Sequence, residues 1–403
     1  MNVTLLGNYL HDENESMARY AEMLKKLLTA RGIQVDVLQP EPLFGRLKRG
    51  SHGIGKWLGY VDKYILFPIF LRRYIRRRKE TKEANGPQAG EFIVHICDHS
   101  NAIYTRWLQD VPHFVTCHDV MAIMAAKGHI PGLKIGWSGR ILQNWILSGL
   151  KNASFIACVT QETRKDLLML APGLEVRSCA IESPLNFPYA PMPEKEAFAE
   201  LSVPATDTTF RPGMDPFLFH VGGNQWYKNR EGVIRIYAQL CVAHPNLTSV
   251  KLIMAGKPPT QEMRRLVKEK GIGKQLIFVT SVSDQQLCAF YSTAEALIFP
   301  SLKEGFGWPI IEAQACGCPV ITSDRAPMSR LAGPASVLAD PEDESGFALQ
   351  IFRILEESPK ARKSRKADSI LHAQSFDPEV FLNQILLRYE EVVRKNFVTD
   401  FNK

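Results

Sequence analysis

The sequence predicts an α/β protein built from two Rossmann-like, doubly wound parallel-sheet domains. Three observations predict it. Short apolar runs alternate with amphipathic stretches over the first half; residues 186–214 hold five prolines and little periodicity; a second alternating series then begins. Such alternation builds parallel sheets covered by helices on both faces. At 403 residues the chain can form two or three domains, each with a full core.

The elements follow in order. Val3–Leu6 is a short apolar strand. Ser16–Arg31 is an amphipathic helix, with Ser16 expected as its N-cap and Gly32 as its stop. Gln34–Leu38 is a strand, and so are Phe92–Cys97, His113–Cys117 and Ser154–Val159, with a helix at Ile135–Leu150. The proline-rich stretch predicts a linker at 191–214. Beyond it come strands at Phe217–Val221, Lys251–Ala255, Leu276–Val279 and Ala296–Pro300, with helices at Arg230–Ala243, Gln261–Lys268 and Asp284–Ala294. Ser283 and Gln286 have the spacing of a capping box for the last of these. Helices at Gly346–Glu356 and Pro378–Lys395 complete the chain. The expected organisation is an N-terminal domain over 1–190 with a basic and aromatic insertion at 46–85, a C-terminal domain over 215–378, and a terminal helix over 379–403.

Composition narrows the function. Hydrophobic residues are 45% and charged residues 23%, as in ordinary soluble domains. The start, Met1-Asn-Val-Thr-Leu-Leu-Gly7, has neither the charged region nor the apolar core of a signal peptide. No apolar run reaches the roughly 18 residues of a membrane span. None of the eight cysteines is paired at Cys-x-x-Cys spacing, so buried thiols in a reducing, cytoplasmic setting are expected rather than disulfides or zinc. Cys316-Gly-Cys318 is expected as helix-end packing. The net charge of +7 is uneven: residues 46–79 hold eleven Lys/Arg and one acid, Asp62, leaving the remainder near −3. That distribution argues against a nucleic-acid binder.

The most informative stretch is Glu304-Gly-Phe-Gly-Trp-Pro-Ile-Ile-Glu312. The strand before it and Pro309 at its helical start predict a strand, a glycine loop and a helix. Loop N–H groups, including those of Gly305, Phe306 and Gly307, and the positive end of a helix dipole suit a phosphate. Two carboxylates beside them suit a polyol, so the pair of features fits a sugar nucleotide. A second phosphate candidate is Val221-Gly-Gly-Asn-Gln-Trp-Tyr-Lys-Asn-Arg230, where Gly222 and Gly223 end a strand and Lys228 precedes a helix. In the first half, Thr116-Cys-His118-Asp119 and Asp98-His99 end strands, and Gly7-Asn8 ends the first. Carboxyl ends of α/β strands are where ligands bind. The Gly7 loop lacks G-x-G-x-x-G spacing, which counts against a dinucleotide enzyme.

The string from Glu304 to Glu312, continued by Ala313-Gln-Ala-Cys-Gly-Cys-Pro-Val-Ile321, resembles the donor-site motif of the retaining glycosyltransferases of family 4 (glycosyl transferases group 1). The resemblance is strongest over residues 215–350. It implies the GT-B fold, two Rossmann-like domains facing a deep cleft, with the final helix Phe381–Val398 crossing back to the first domain. It implies transfer of a hexose from a UDP-, GDP- or ADP-linked donor to a saccharide or lipid-linked acceptor, with retention and without a metal or other cofactor, as in polysaccharide or glycolipid assembly. In its terms Glu304 holds donor-sugar hydroxyls, Glu312 the ribose, Lys228 the diphosphate, and His118 faces the reaction centre. Base recognition falls near Thr280–Ser283, including Val282. Asp119, Asp98 and His99 are acceptor-side candidates. The chain departs from the pattern twice: an Arg common after the first Gly is absent, leaving Arg230 as a substitute, and Gly7-Asn8 stands where Gly-Gly is common. A GT-B sugar-nucleotide epimerase and a non-catalytic binding subunit are the competing readings.

The basic segment mixes Trp57, Tyr60, Tyr64, Phe67 and Phe70 with Lys56, Lys63, Arg72, Arg73 and Arg76–Arg78. It is expected either as a peripheral contact with an anionic membrane or as a partly buried crossover helix with a basic end. Pro68 is expected to break any single long helix there.

Overall fold

The structure, a computed structural model, describes residues 1–12, 15–46, 53–85, 90–201 and 210–400. Residues 47–52 of the basic segment and 202–209 of the expected linker lie outside them. The chain divides into one unit of residues 1–186 with 378–403 and another of Phe187–Asp377.

The first unit runs β1 (Asn2–Leu6), α1 (Glu15–Ala30), β2 (Gln34–Leu38), α2 (Gly53–Val61), α3 (Phe67–Asn85), β3 (Phe92–Ile96), β4 (His113–Cys117), α4 (Met121–Ala126), α5 (Trp137–Lys151), β5 (Phe155–Cys158), α6 (Gln161–Leu170) and β6 (Ser178–Ala180). Its parallel sheet has the order β2-β1-β3-β4-β5-β6. The steps from β2 onward all go one way across the sheet, and the step from β1 to β2 goes the other way. Right-handed crossovers therefore put α1 on one face and α3, α5 and α6 on the other. Val94, Ile96, Val115, Cys117 and Ile156 point into a core shared with Phe67, Leu71, Tyr104 and Leu150. Four of the sheet's strands are buried throughout or nearly so, while β2, at the edge, is half exposed.

Two expectations in this unit are corrected. Ser16 is the second residue of α1, not its N-cap; Gly32, with φ +77°, does mark its end. Pro68 does not break the helix. Asp62–Leu66 winds as a π-helix between α2 and α3, with Phe67 N–H donating to the Asp62 carbonyl. Next in that pattern, the Lys63 carbonyl would need an N–H from Pro68, which has none. The Tyr104 hydroxyl donates to it instead, at 3.0 Å. The wider turn thus lets the rod continue through the proline.

The second unit runs α7 (Glu194–Glu200), β7 (Phe217–Gly222), α8 (Arg230–Ala243), β8 (Lys251–Gly256), α9 (Gln261–Glu269), β9 (Leu276–Val279), α10 (Asp284–Thr293), β10 (Ala296–Phe299), α11 (Trp308–Ala315), β11 (Val320–Ser323), α12 (Met328–Leu331), β12 (Val337–Ala339), α13 (Glu344–Leu355) and α14 (Pro359–Ala373). Its parallel sheet has the order β12-β11-β10-β7-β8-β9. The capping box at Ser283 and Gln286 is present.

The stretch expected as a linker is also corrected. Its residues 194–200 form α7, which packs on α10. Met192 N–H donates to Ser292 Oγ at 3.0 Å, and the Cys288 thiol to the Ala190 carbonyl. The prolines break periodicity, but Glu194 and Glu196 in a first turn still favour a helix N-terminus. Cys316 caps α11; Gly317, at φ +73°, and Cys318 close it with N–H bonds back to Gln314 and Ala313. That is a Schellman end, so this pair serves helix-end packing. All eight cysteines are free thiols.

The last helix, α15 (Pro378–Asp400), belongs to the first unit and packs on α1, β3 and β4. It buries Phe381, Leu382, Ile385, Tyr389, Val392 and Val393, each large side chain contributing about 1.5–3 kcal/mol. Beneath it, Tyr389, His95, Thr116 and Tyr20 form one buried hydrogen-bonded chain.

Candidate active site

Doubly wound sheets bind ligands at the carboxyl ends of the strands where strand order reverses. In the second unit that point lies between β7 and β10, and in the first between β1 and β3. Most of the predicted site residues follow the strands at these two places, one set in each unit; His118 and Asp119 follow β4, next to β3, and Val282 follows the edge strand β9.

In the second unit the loops after β7 and β10 are sewn together. Leu302 N–H donates to the Tyr227 carbonyl at 2.7 Å. Asn229, left-handed at φ 52°, donates through Nδ2 to the carbonyls of Pro300 and Pro341. Lys228 Nζ then meets both oxygens of Glu304, at 2.8 and 2.9 Å. The Lys228 side chain is 18% exposed and that of Glu304 6%. An ammonium and a carboxylate are thus fixed where the N-termini of α8 and α11 open.

Gly222 is the last residue of β7, and Gly223 begins the loop. A Cβ on Gly256, at φ +129°, would lie 2.1 Å from the Gly222 carbonyl oxygen, so the backbones after β7 and β8 approach as only glycine allows. Arg230 is 1% exposed. Its Nη1 donates to the Lys257 carbonyl at 2.8 Å and to Asn224 Oδ1, while Nε and Nη2 are buried without a partner. Burial lowers its pKa. Arg230 therefore braces the loop from beneath and leaves Lys228 as the cation at its surface.

Gly307 enters α11 at φ +116°, a conformation that a side chain strains. Pro309 is the second residue of α11 and Glu312 the fifth, one turn beyond the helix start. Glu312 is buried, and Oε2 accepts from the Tyr291 hydroxyl at 2.9 Å. That contact, with the Glu312 charge and burial, holds the Tyr291 pKa well above the usual phenol value, burial being the larger cause. The Phe306 ring is buried between Trp308 and Phe376, and Gly305 precedes it on the loop. Val282 is half-buried in the loop between β9 and α10.

In the first unit Gly7 and Asn8 follow β1, and Asp98 and His99 follow β3. The Asp98 carboxylate accepts from Asn8 Nδ2 at 2.5 Å, from Ser100 N–H at 2.9 Å and from Ser100 Oγ at 2.8 Å. His99 Nδ1 lies 3.2 Å from Asp98 Oδ1, off the axis of a hydrogen bond. Burial raises the Asp98 pKa, but His99, His118 and these donors outweigh it, so the net shift is downward. Asn101 joins the cluster through Nδ2 to Asn8 Oδ1 at 2.9 Å. His118 is buried with its Nε2 at 2.9 Å from the Cys97 carbonyl and its ring edge-on to Tyr20. Its Nε2 therefore carries the proton. Burial lowers its pKa, partly offset by Asp98. Asp119 accepts from Met121 N–H at 2.9 Å and so closes the first turn of α4.

Sequence reasoning missed Tyr291, Asn101 and Asn224. Tyr291 comes from another helix and leaves no local signal; Asn101 stood two residues beyond the quoted Asp98-His99 pair, and Asn224 inside the quoted phosphate loop. Among the described residues no three His, Cys, Asp or Glu side chains gather as a metal site.

Comparison with known proteins defines the class. Residues 207–369 match the family described as Glycosyl transferases group 1, and residues 17–172 the one described as Glycosyltransferase Family 4. The two matches together span most of the chain, each to a glycosyltransferase family, and the fold is the GT-B fold. The O-antigen chain mannosyltransferase B of Escherichia coli is 24% identical over 280 residues, which cover 68% of this chain and 69% of that protein. The D-inositol 3-phosphate glycosyltransferase of Acidothermus cellulolyticus is 28% identical over 182 residues, covering 43% of this chain and 40% of that one. Among solved structures, sucrose-phosphate synthase from Thermosynechococcus elongatus matches with TM-score 0.69 at 20% identity, over 98% of this chain and 100% of that chain. Anabaena HepE, solved in complex with UDP and glucose, matches with TM-score 0.66 at 14% identity, over 97% and 99%.

Proposed function

We propose that this chain is a retaining family 4 glycosyltransferase that moves a hexose from a nucleotide sugar to a saccharide or lipid-linked acceptor, in polysaccharide or glycolipid assembly. The observation that carries the reading is the Lys228–Glu304 pair held at the switch point of the second sheet. The bond from the anomeric carbon to the diphosphate oxygen breaks while a bond to the acceptor oxygen forms, and the proton of the acceptor hydroxyl passes to the departing diphosphate. Negative charge grows on the leaving diphosphate. Lys228 and the N-termini of α8 and α11 are placed to stabilise it, and positive groups fixed on developing charge are the largest single source of rate in such sites. With them in place the reaction needs no metal. Glu304 accepts from donor-sugar hydroxyls, and Glu312, steadied by Tyr291, accepts from the ribose. His118 serves the acceptor side, with Asp98 fixing the Asn8 and His99 loops around it. HepE's complexes with UDP and with UDP-glucose support a nucleotide-linked donor.

Titration calorimetry against UDP, GDP and ADP, then their sugar forms, tests the reading. One nucleotide is expected to bind clearly best. Glu312→Ala is expected to weaken it about 10- to 100-fold, the range for a hydrogen bond to a charged group. Tyr291→Phe is expected to weaken it only several-fold, since it leaves the carboxylate in place. No binding by folded protein would refute the donor site. Conversion of the sugar nucleotide without any transfer product would favour an epimerase.

A further inference from the structure

We infer that the first unit docks on an anionic lipid bilayer through a surface made by α3 and α5 together. This goes beyond the donor reading and does not depend on it. The two helices lie on the same face of the sheet, either side of the short helix His99–Trp107, and both pack against it.

Each presents an apolar stripe outward. Before and within α3, Ile65 is 56% exposed, Ile69 46% and Phe70 51%, while Phe67, Leu71 and Ile75 are buried. The exposed face continues along the same helix as Arg72, Arg73, Arg76 and Arg77. On α5, Trp137 is 73% exposed and Trp145 50%, with Ile141 between them, while Ile146, Leu147 and Leu150 are buried. Spacing of four residues sets these three on one face. Between the helices, Trp107 lies beneath the guanidinium groups of Arg72 and Arg106.

Four observations select the partner. Large apolar side chains are presented in stripes, which marks an interaction surface rather than scattered exposure. Two of them are Trp, whose amphipathic ring suits the headgroup boundary. The charge is strongly biased: α3 carries seven Lys/Arg against Glu80 and Glu83, with Glu80 paired to Arg76, and residues 120–161 contain four Lys/Arg and no Asp or Glu. A second copy of the chain would set like charges together, which disfavours a symmetric contact, whereas anionic headgroups complement them. No described helix is long and apolar enough to cross a membrane, so the contact is with the bilayer surface.

The test is sedimentation of the full chain with vesicles of phosphatidylcholine alone and with phosphatidylglycerol added. Binding is expected to need the anionic lipid and to weaken as salt rises. Substituting Arg72, Arg73, Arg76 and Arg77 together by Ser is expected to reduce partitioning at least 100-fold, at about fivefold per cation. Trp137→Ser with Trp145→Ser, both at exposed positions, is expected to reduce it at least tenfold. Val242→Ser, at a 78% exposed apolar site in the other unit, is expected to change nothing. Near-ultraviolet circular dichroism confirms that each variant is folded. Equal binding to neutral vesicles, wild-type binding by both surface variants, or a concentration-dependent dimer abolished by the Trp substitutions would overturn the proposal. The last outcome would assign the surface to a second copy.

Discussion

Lys228→Ala is expected to lower turnover by 10²- to 10³-fold while the protein stays folded. Removing one group aimed at charge developing in a transition state costs about 3–4 kcal/mol, and Lys228 is the cation at the surface of the phosphate loop. The expectation includes a structural cost that must be separated from the catalytic one. Lys228 is chelated by both oxygens of Glu304, and the Glu304 side chain is only 6% exposed. Deleting the lysine leaves a nearly buried carboxylate without its partner, which destabilises more than the intact pair stabilises. Glu304→Gln keeps the shape and removes the charge, so Lys228→Met with Glu304→Gln restores much of the lost stability without restoring rate. Because the two side chains act as one unit, the double variant is expected to fall little below the worse single one. Rates are read with the donor chosen by calorimetry, and stability by urea denaturation. Wild-type turnover in Lys228→Ala and Glu304→Ala would defeat the assignment of this pair.

How much of this was legible beforehand differs by element, for physical reasons. The buried strands β3, β4, β7, β8 and β10 were legible because a strand covered on both faces is an apolar run of fixed length. The helix α14 was missed: it is polar over most of its length and buries few positions, including Ser369 and Ala373, so it carries no apolar stripe. Its signal lay in its start, where Ser358 caps and Pro359 follows. The π-turn at Asp62–Leu66 could not be read, because the Lys63 carbonyl that Pro68 leaves unpaired is satisfied by a hydroxyl, that of Tyr104, supplied from another element. The same holds for the site. Lys228 and Glu304 could be named from their loops, but their mutual contact depends on β7 and β10 being neighbours, which is a property of strand order. Arg230 looked like a ligand contact in sequence; its position under the loop, bonded to Lys257 and Asn224, is visible only in three dimensions.

Stability is expected to fall steeply as pH drops from 6.5 to 4.5, and each unit carries a buried histidine that causes it. His95 and His220 are fully buried, and burial holds each pKa near 3 rather than 6.5. His95 bonds Tyr389 and Thr116; His220 bonds the Ile298 carbonyl through Nδ1. A histidine whose folded pKa is depressed stays neutral in the folded chain while the unfolded chain takes up a proton. Its contribution is therefore complete above pH 6.5 and is lost progressively as pH falls from there toward the folded value. At pH 4.5, two units below the unfolded value, each ring costs about 2.7 kcal/mol. His113 and His118, shifted the same way by burial, add to the total. Buried Asp98, with its pKa lowered from 3.8, loses stability in the same direction but only as pH falls toward and below that value, so the window from 6.5 to 4.5 isolates the imidazoles. Urea denaturation at stepped pH is expected to show proton uptake on unfolding in this window. His95→Gln and His220→Gln each remove about one proton from the uptake. A flat stability profile between pH 7 and 4.5, or uptake unchanged in both variants, would show that these rings titrate as they do in water.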